Sequence, residues 1–380
     1  MKQTSVPSIC YQINLQQGFG GGEVYTAFFT HALETLGIKT VLFAHAEAKH
    51  WRQRLPGSTE IVPVLPADLA ARLERLDAPW TVFHTPAPAK VVEAIHRAGG
   101  MATCFAHMPV YDRDPTVLKP YDLIFPVSQH VADSLHARGL DNVYGEPFYG
   151  VADLRGRQGN QGHPLIKGDV YDWDTRKVRD RLLGVIYPWI KRVLPRKTYT
   201  PIPGITLGIV SRITPIKQFP LLFSHLSPIL ARFPNVHLEI FGSGGYASVR
   251  DLKRALAPIR DRVRFWGHQQ DVADVYAQLD YLLTGLPEKE ALGLNVIEAQ
   301  ACGVPVLAVA APPFTETVVD GVTGLLYADP RQDKGEGFAA LLSRLSSKPF
   351  TMDTGLATQH LRQFSEEAFA ARVKRLIETL

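Results

Sequence analysis

Ser8-Ile-Cys-Tyr-Gln-Ile-Asn14, the loop Gly18-Phe-Gly20-Gly21-Gly22, a segment with Val24, Phe28, Ala32 and Leu36 on one helical face, then Gly37 and Thr40-Val-Leu-Phe-Ala44: this stretch decides the fold. A strand-length apolar run passes through glycines into a stripe of helical period, then into a second apolar run. A strand, a covering helix and a returning strand build a parallel sheet, because the helix carries the chain back to the starting edge. The pattern continues. Further strands are expected at Trp80–Phe83, Ala102–Phe105, Leu123–Val127 and Asn142–Tyr144. A second series starts near Gly204, with strands expected at Ile205–Val210, Val236–Phe241, Val263–Trp266, Tyr281–Leu283 and Pro305–Val309. Ser365 can cap a last helix whose stripe is Phe369, Val373, Leu376 and Ile377, with Glu366 and Glu367 in its first turn. The fold class is therefore α/β with two Rossmann-like, doubly wound domains. The expected boundaries are 1–195, 196–360 and a C-terminal helix, 361–380, that returns to the first domain.

Length and composition agree. A chain of 380 residues with 46% apolar and 21% charged residues is globular and too long for one core. A net charge of +4 at this size gives no warrant for nucleic-acid binding. Cys10, Cys104 and Cys302 stand far apart, so neither a metal knuckle nor a disulfide framework is indicated. The start, Met1-Lys-Gln-Thr-Ser-Val-Pro7, lacks a signal peptide's apolar stretch, and no run reaches the ~18 apolar residues of a membrane span. The expected setting is reducing and cytoplasmic.

The chemistry concentrates in the second series. Glu290-Ala-Leu-Gly293-Leu-Asn295-Val-Ile-Glu298 places one glutamate in a loop and the other just over a turn inside a short helix, which Gly303 can stop. Between them lie the free N–H groups of the helix start, around Gly293, Leu294 and Asn295, which favour an anion. An acidic first turn on a solvated helix, worth about 0.3–1 kcal/mol, reads equally well from these residues alone. Arg212 and Lys217 follow a strand at a spacing that lets both reach one anion; two solvated loop cations are the plain alternative. His107 follows the strand Ala102–Phe105, at the strand end where α/β sites form.

Other motifs are weaker. Gly18 and Gly20 put Glu23 where a dinucleotide fingerprint needs glycine or alanine. Gly242-Ser-Gly244-Gly-Tyr-Ala247 fits formally, but the next strand, Val263–Trp266, ends without the acid that grips the ribose. No P-loop pattern occurs. Asp112-Arg-Asp114 and Asp172-Trp-Asp174 are acidic triplets in polar loops, and neither calls for a metal.

Taken in order, these motifs resemble the retaining glycosyltransferases of the GT-B fold, group 1 or family-four type. The resemblance runs through both domains: Gly20-Gly21-Gly22-Glu23, Leu36-Gly37-Ile-Lys-Thr-Val-Leu42, His107, Pro126-Val-Ser128-Gln and Tyr149-Gly150-Val-Ala-Asp153 in the first. In the second come Gly208-Ile-Val-Ser-Arg212-Ile-Thr-Pro-Ile-Lys217, Glu239-Ile-Phe-Gly242-Ser-Gly244, the Glu290–Glu298 motif and Asp320-Gly-Val-Thr-Gly324. It implies two domains facing a cleft, the first on the acceptor side and the second binding a nucleoside diphosphate sugar. By the resemblance Arg212 and Lys217 hold the diphosphate, stabilising charge on the departing nucleotide. Glu298 accepts from the ribose hydroxyls, Glu290 sits beside the donor sugar, and His107 contacts that sugar near the reacting carbon. Gly20, Gly21, Gly22, Gly242 and Gly244 let backbone approach the donor. The implied reaction moves a sugar to an acceptor hydroxyl with retention and without a metal or other cofactor. The acceptor is a saccharide or a lipid-linked molecule of cell-surface polysaccharide, lipopolysaccharide or glycolipid synthesis. A nucleotide-sugar epimerase of the same fold and a dinucleotide-dependent oxidoreductase are the alternatives.

Two stretches depart from the family. Ala311-Pro312-Pro313-Phe314 stands where a Gly-Gly pair is usual, and prolines donate no N–H. Residues 176–197 carry Arg176, Lys177, Arg179, Arg181, Lys191, Arg192, Arg196 and Lys197 against Asp180 alone, with Leu182, Tyr187 and Trp189 between them. At about 1 kcal/mol per basic residue, such a stretch suffices for peripheral attachment to an anionic membrane face; an interdomain linker or a site for a polyanionic acceptor fits it too.

Overall fold

The computed structural model of the protein describes residues 7–18, 20–152, 164–173 and 197–380. All of the basic stretch except Lys197 lies outside the described residues, as do Asp153, 154–163 and Asp174 of the second acidic triplet. The described chain packs as two compact units. Unit 1 holds 7–152 together with Arg362–Leu380, and unit 2 holds 164–173 and 197–361.

Unit 1 runs β1 (Ile9–Asn14), α1 (Gly21–Thr35), β2 (Lys39–His45), β3 (Glu60–Val64), α2 (Leu69–Leu73), β4 (Trp80–Phe83), α3 (Ala89–Arg97), β5 (Met101–Ala106), β6 (Leu123–Pro126) and α4 (Gln129–His136). Its strands pair in parallel in the order β3-β2-β1-β4-β5-β6. The chain winds outward from β1, then jumps back to lay β4 on the other side of it. The loops after β1 and β4 therefore part at the carboxyl edge, the crevice where doubly wound sheets bind ligands. β3 was not expected from the sequence. It sits at the sheet edge, where strands accommodate a proline such as Pro63. Asn142–Tyr144, expected as a strand, makes only one bridge, Ile124 to Val143.

The face of α1 also differs from the expected stripe. Tyr25, Thr26, Phe29, Thr30 and Leu33 are buried, whereas Val24, Phe28 and Leu36 are only partly covered. Two threonines can be buried because they are paired: Gln12 donates to Thr30 at 2.8 Å and Asn14 to Thr26 at 2.9 Å. Phe28 instead packs against Phe369 of α12 (Glu366–Thr379), ring centroids 5.9 Å apart. This C-terminal helix begins where the sequence placed it. Ser365 accepts from the Ala368 N–H at 3.1 Å, and Phe369, Val373, Leu376 and Ile377 are buried. Glu146 binds Arg375 with both carboxylate oxygens, at 2.6 and 2.8 Å, and fixes the helix to unit 1.

Unit 2 repeats the plan with β7 (Ile205–Val210), α5 (Phe219–Leu230), β8 (Val236–Phe241), α6 (Tyr246–Ala255), β9 (Val263–Gly267), α7 (Val272–Tyr276), β10 (Tyr281–Leu283), α8 (Leu294–Ala301), β11 (Val306–Val309), α9 (Phe314–Thr317), β12 (Gly324–Tyr327), α10 (Glu336–Ser347) and α11 (Thr354–Leu361). The order β12-β11-β10-β7-β8-β9 is the same winding read from the other edge. Strand residues alternate between two cores: Leu207, Ile209, Leu238, Leu283 and Leu307 on one face, Val210, Phe241, Leu282 and Val306 on the other. The switch point falls between β7 and β10, and the Arg212–Lys217 and Glu290 loops leave from those two strands.

Candidate functional site

In unit 2 the two predicted motifs meet. Beyond β7 the chain turns through Ser211-Arg212-Ile213, and a short turn, Pro215–Lys217, leads into α5. Lys217 donates to the Glu290 carboxylate, with side chains only 25% and 15% exposed. The approach is built into the backbone: a Cβ on Gly285 would lie 2.6 Å from the Lys217 carbonyl oxygen. Glu290 is shaped by its own turn, its N–H bonding the Pro287 carbonyl at 2.9 Å, while its other oxygen accepts from Ala291 N–H at 3.3 Å.

Gly293 caps α8 at φ +85°, a left-handed conformation that suits glycine. The N–H groups of Val296 and Ile297 bond the Gly293 carbonyl, leaving those of Leu294 and Asn295 outside the helix's own bonds. The Asn295 side chain donates to the Val210 carbonyl at 3.1 Å, which ties the helix start to the end of β7. Glu298, on the second turn, accepts from the Tyr276 hydroxyl at 3.1 Å, and the same hydroxyl lies 3.2 Å from the Asn295 carbonyl. Burial and the Glu298 carboxylate push the Tyr276 phenol well above its usual range, so it stays a donor. Tyr276 is absent from the motif that predicted Glu298; its spacing from that residue carries no signal in sequence.

Gly242 and Gly244 serve the protein's own backbone. A Cβ on Gly242, at φ +143°, would lie 1.9 Å from the Ser211 carbonyl oxygen, and one on Gly244 2.1 Å from that of Ile213. The loop after β8 is stitched to both neighbours: Ile213 N–H bonds Ser243, Gly244 N–H bonds Val170, and Asp172 N–H bonds Gly244. These glycines thereby fix the backbone of Arg212, whose side chain is exposed.

In unit 1, Gly20 caps α1, and Gly21 and Gly22 are its first residues, with the Val24 N–H bonding Gly20. A Cβ on Gly21 would meet nothing within 4 Å, and one on Gly22 would make ordinary contact, 3.6 Å, with the His107 ring. The protein itself therefore imposes no glycine at either position. His107 stands at the carboxyl end of β5, stacked at 5.4 Å on Phe105 and 5.8 Å from the parallel ring of His84. Both its ring nitrogens are shielded from solvent and have no hydrogen-bond partner among the described residues, and burial pulls the imidazole down to about 3. His84, not singled out from the sequence, ends β4 as His107 ends β5; that shared context was the available signal. Gln12 lies 2.8 Å from one of its nitrogens. The two histidines line a cavity of about 160 Å³ with Met108, Pro109, Val110 and Leu118.

In the first acidic triplet, Asp114 has a structural role. Asp114 caps the turn Pro115–Leu118 through Thr116, whose N–H and hydroxyl lie 2.9 and 2.7 Å from its carboxylate. Among the described residues no cluster of three or more histidine, cysteine or acidic side chains is arranged to hold a metal ion. Pro312-Pro313 forms a cis peptide, and Phe314 beyond it is buried beneath Gly293.

Comparison with known proteins gives these features a context. Residues 204–348 match the family model for glycosyl transferases group 1. A D-inositol 3-phosphate glycosyltransferase of Mycobacterium sp. (strain KMS) is 35% identical over 211 residues, 53% of this chain and 43% of that protein. The match thus spans less than half the length of that relative. One of the same description from Frankia alni is 26% identical across 87% of this chain and 86% of its own. Two solved structures share the fold across 98% of the chain: Anabaena HepE in complex with UDP and glucose (TM-score 0.71, 17% identity) and sucrose-phosphate synthase from Thermosynechococcus elongatus (TM-score 0.69, 16% identity).

Proposed function

We propose that this chain, a GT-B protein whose residues 204–348 form a group 1 glycosyltransferase domain, moves a sugar from a nucleoside diphosphate sugar to an acceptor hydroxyl. The observation that carries this reading is the Lys217–Glu290 pair beside the α8 N-terminus. A cation, two free N–H groups and a carboxylate stand together there, matching a ligand that is anionic at its phosphates and hydroxylated at its sugar.

Each residue then has a task. Arg212 and Lys217 neutralise the diphosphate and stabilise the charge that develops as the nucleotide leaves. The Leu294 and Asn295 N–H groups add fixed donors. Glu298, steadied by Tyr276, accepts from the ribose hydroxyls. Glu290 holds hydroxyls of the donor sugar and favours a positively charged anomeric carbon. His107, neutral by burial, brings no competing charge to the sugar. The acceptor hydroxyl attacks on the face the nucleotide leaves, giving retention, with Arg212 and Lys217 doing the electrostatic work a metal would otherwise do. No helix of the described residues is long and apolar enough to cross a membrane. The 176–197 cations would serve attachment to an anionic membrane face, or a lipid-linked or polyanionic acceptor.

The relatives act on inositol phosphate by their description, which favours a polyol or saccharide acceptor here. Calorimetric titration with UDP-, GDP-, ADP- and dTDP-sugars, followed by mass spectrometry of products with candidate acceptors, tests the proposal. Saturable binding of one donor and its transfer are expected; binding of none would overturn it.

A further inference from the structure

The segment that carries Glu290 has no regular secondary structure between β10 and α8, yet it is held at both ends. Leu286 and Leu292 are buried to 2% exposure, and Gly285 is pressed onto Lys217. The turn between them presents two carboxylates, Glu288 and Glu290. Glu290 goes to Lys217, and Glu288 goes the other way, to the Arg331 guanidinium. Arg331 stands just past β12, the sheet edge two strand spacings, about 10 Å, from β10. It is itself fixed: Asp329 accepts from its backbone N–H at 2.9 Å and from its Nε at 2.9 and 3.1 Å, and pairs with its Nη2. The side chains of Arg331, Glu288 and Asp329 are 29%, 28% and 12% exposed, so water screens them only partly. The flanking carboxylates hold the guanidinium firmly protonated. Asp333, four residues past Asp329, in turn accepts from the Gly335 and Gly337 N–H groups at the start of α10.

We infer that Arg331 is a positioning residue: by taking Glu288 it sets the turn that carries Glu290 to Lys217. The inference rests on the glycosyl-transfer reading for its catalytic consequence, though not for its structural one. Without the guanidinium, Glu288 and Asp329 face each other as like charges, and the turn that carries Glu290 loses its tie to the edge of the sheet. A lysine at this position keeps a point charge but loses the fork that spans two carboxylates.

The test compares R331Q, R331K and E288Q/R331Q with the wild-type chain. R331Q should lower kcat for transfer at least tenfold while the Kd for the nucleoside diphosphate stays within twofold. R331K should recover part of the rate, and E288Q/R331Q should be no slower than R331Q, because the repulsion is gone. Hydrogen exchange should show the amides of 286–292 at least fivefold faster in R331Q, with those of α8 unchanged. A kcat within twofold of wild type, a parallel loss of nucleotide affinity, or unchanged exchange at 286–292 would each overturn the inference. Should the wild-type chain transfer no sugar, the glycosyl-transfer reading fails, and the exchange measurement still decides whether Arg331 holds the turn.

Discussion

Lys217 and Glu290, 73 residues apart in the chain, hold each other at the carboxyl edge of the second sheet. The pair joins the loop after β7 to the loop after β10, the two strands that flank the switch point. A cation for phosphate and a carboxylate for sugar hydroxyls thus stand side by side at the switch point.

Glu290→Gln keeps the size and loses the charge. Transfer should fall about a hundredfold, the scale for losing one group that stabilises developing charge. Affinity for the nucleoside diphosphate should change little, because that ligand carries no sugar. Lys217→Met should weaken both rate and nucleotide affinity. Initial rates and calorimetry on the same preparations check this, and unchanged turnover in Glu290→Gln removes it from the sugar site.

With Arg212 and Lys217 supplying the positive charge, transfer should persist at full rate in EDTA. Abolition by the chelator with restoration by Mg²⁺ would transfer that role to a metal.

The glycines separate into two kinds. Gly242→Ala forces a Cβ onto the Ser211 carbonyl and must displace the Arg212 loop, so both melting temperature and activity should drop. Gly21→Ala meets no protein atom within 4 Å and narrows the unfolded ensemble, so the fold should be as stable or more so. If donor or acceptor approaches the α1 start closely, Gly21→Ala should lose activity despite that stability. A fully active Gly21→Ala would release this glycine from any ligand role.

Burial holds His107 neutral, at about 3 against 6.5 for a free imidazole. Between those values the unfolded chain binds the extra proton, so stability is complete above about 6.5 and declines as pH falls below it. From about pH 7 to about pH 5.5, the wild-type chain should lose about 1 kcal/mol more stability than His107→Asn. Urea denaturation at both pH values measures the difference; equal slopes would mean that His107 is solvated.

Tyr276→Phe removes only the hydroxyl that donates to Glu298. The donor KM should rise several-fold with kcat nearly unchanged, because the ribose contact is made in ground and transition states alike. A loss confined to kcat would contradict the ribose role.

The alternation of apolar runs and helical stripes made both sheets legible, because parallel strands buried on both faces are mostly apolar. Two of the four edge strands, β3 and β12, escaped for the same reason, whereas the edge strands β6 and β9 are apolar enough to be read. β3 carries Glu60 and Pro63, and β12 is four residues beginning at Gly324, so neither reads as an interior strand. The stripe on α1 was misread because Thr26 and Thr30 count as polar in sequence but are paired with Asn14 and Gln12 inside. Of the candidate site, the residues beside strand ends were visible, since glycines and prolines punctuate those loops. Their partners were not. Arg331 reaches Glu288 across the sheet edge, and Tyr276 reaches Glu298 from a preceding helix; no local pattern encodes such a meeting.

The return of α12 to unit 1 has a consequence for how the protein is made. Phe369 closes over Tyr25, Phe28 and Phe148, residues synthesised long before it. On the ribosome, unit 1 must wait with that aromatic surface bare while all of unit 2 is translated. Unit 2, whose strands are contiguous in the chain, can finish first, so the half made earlier is the half completed later.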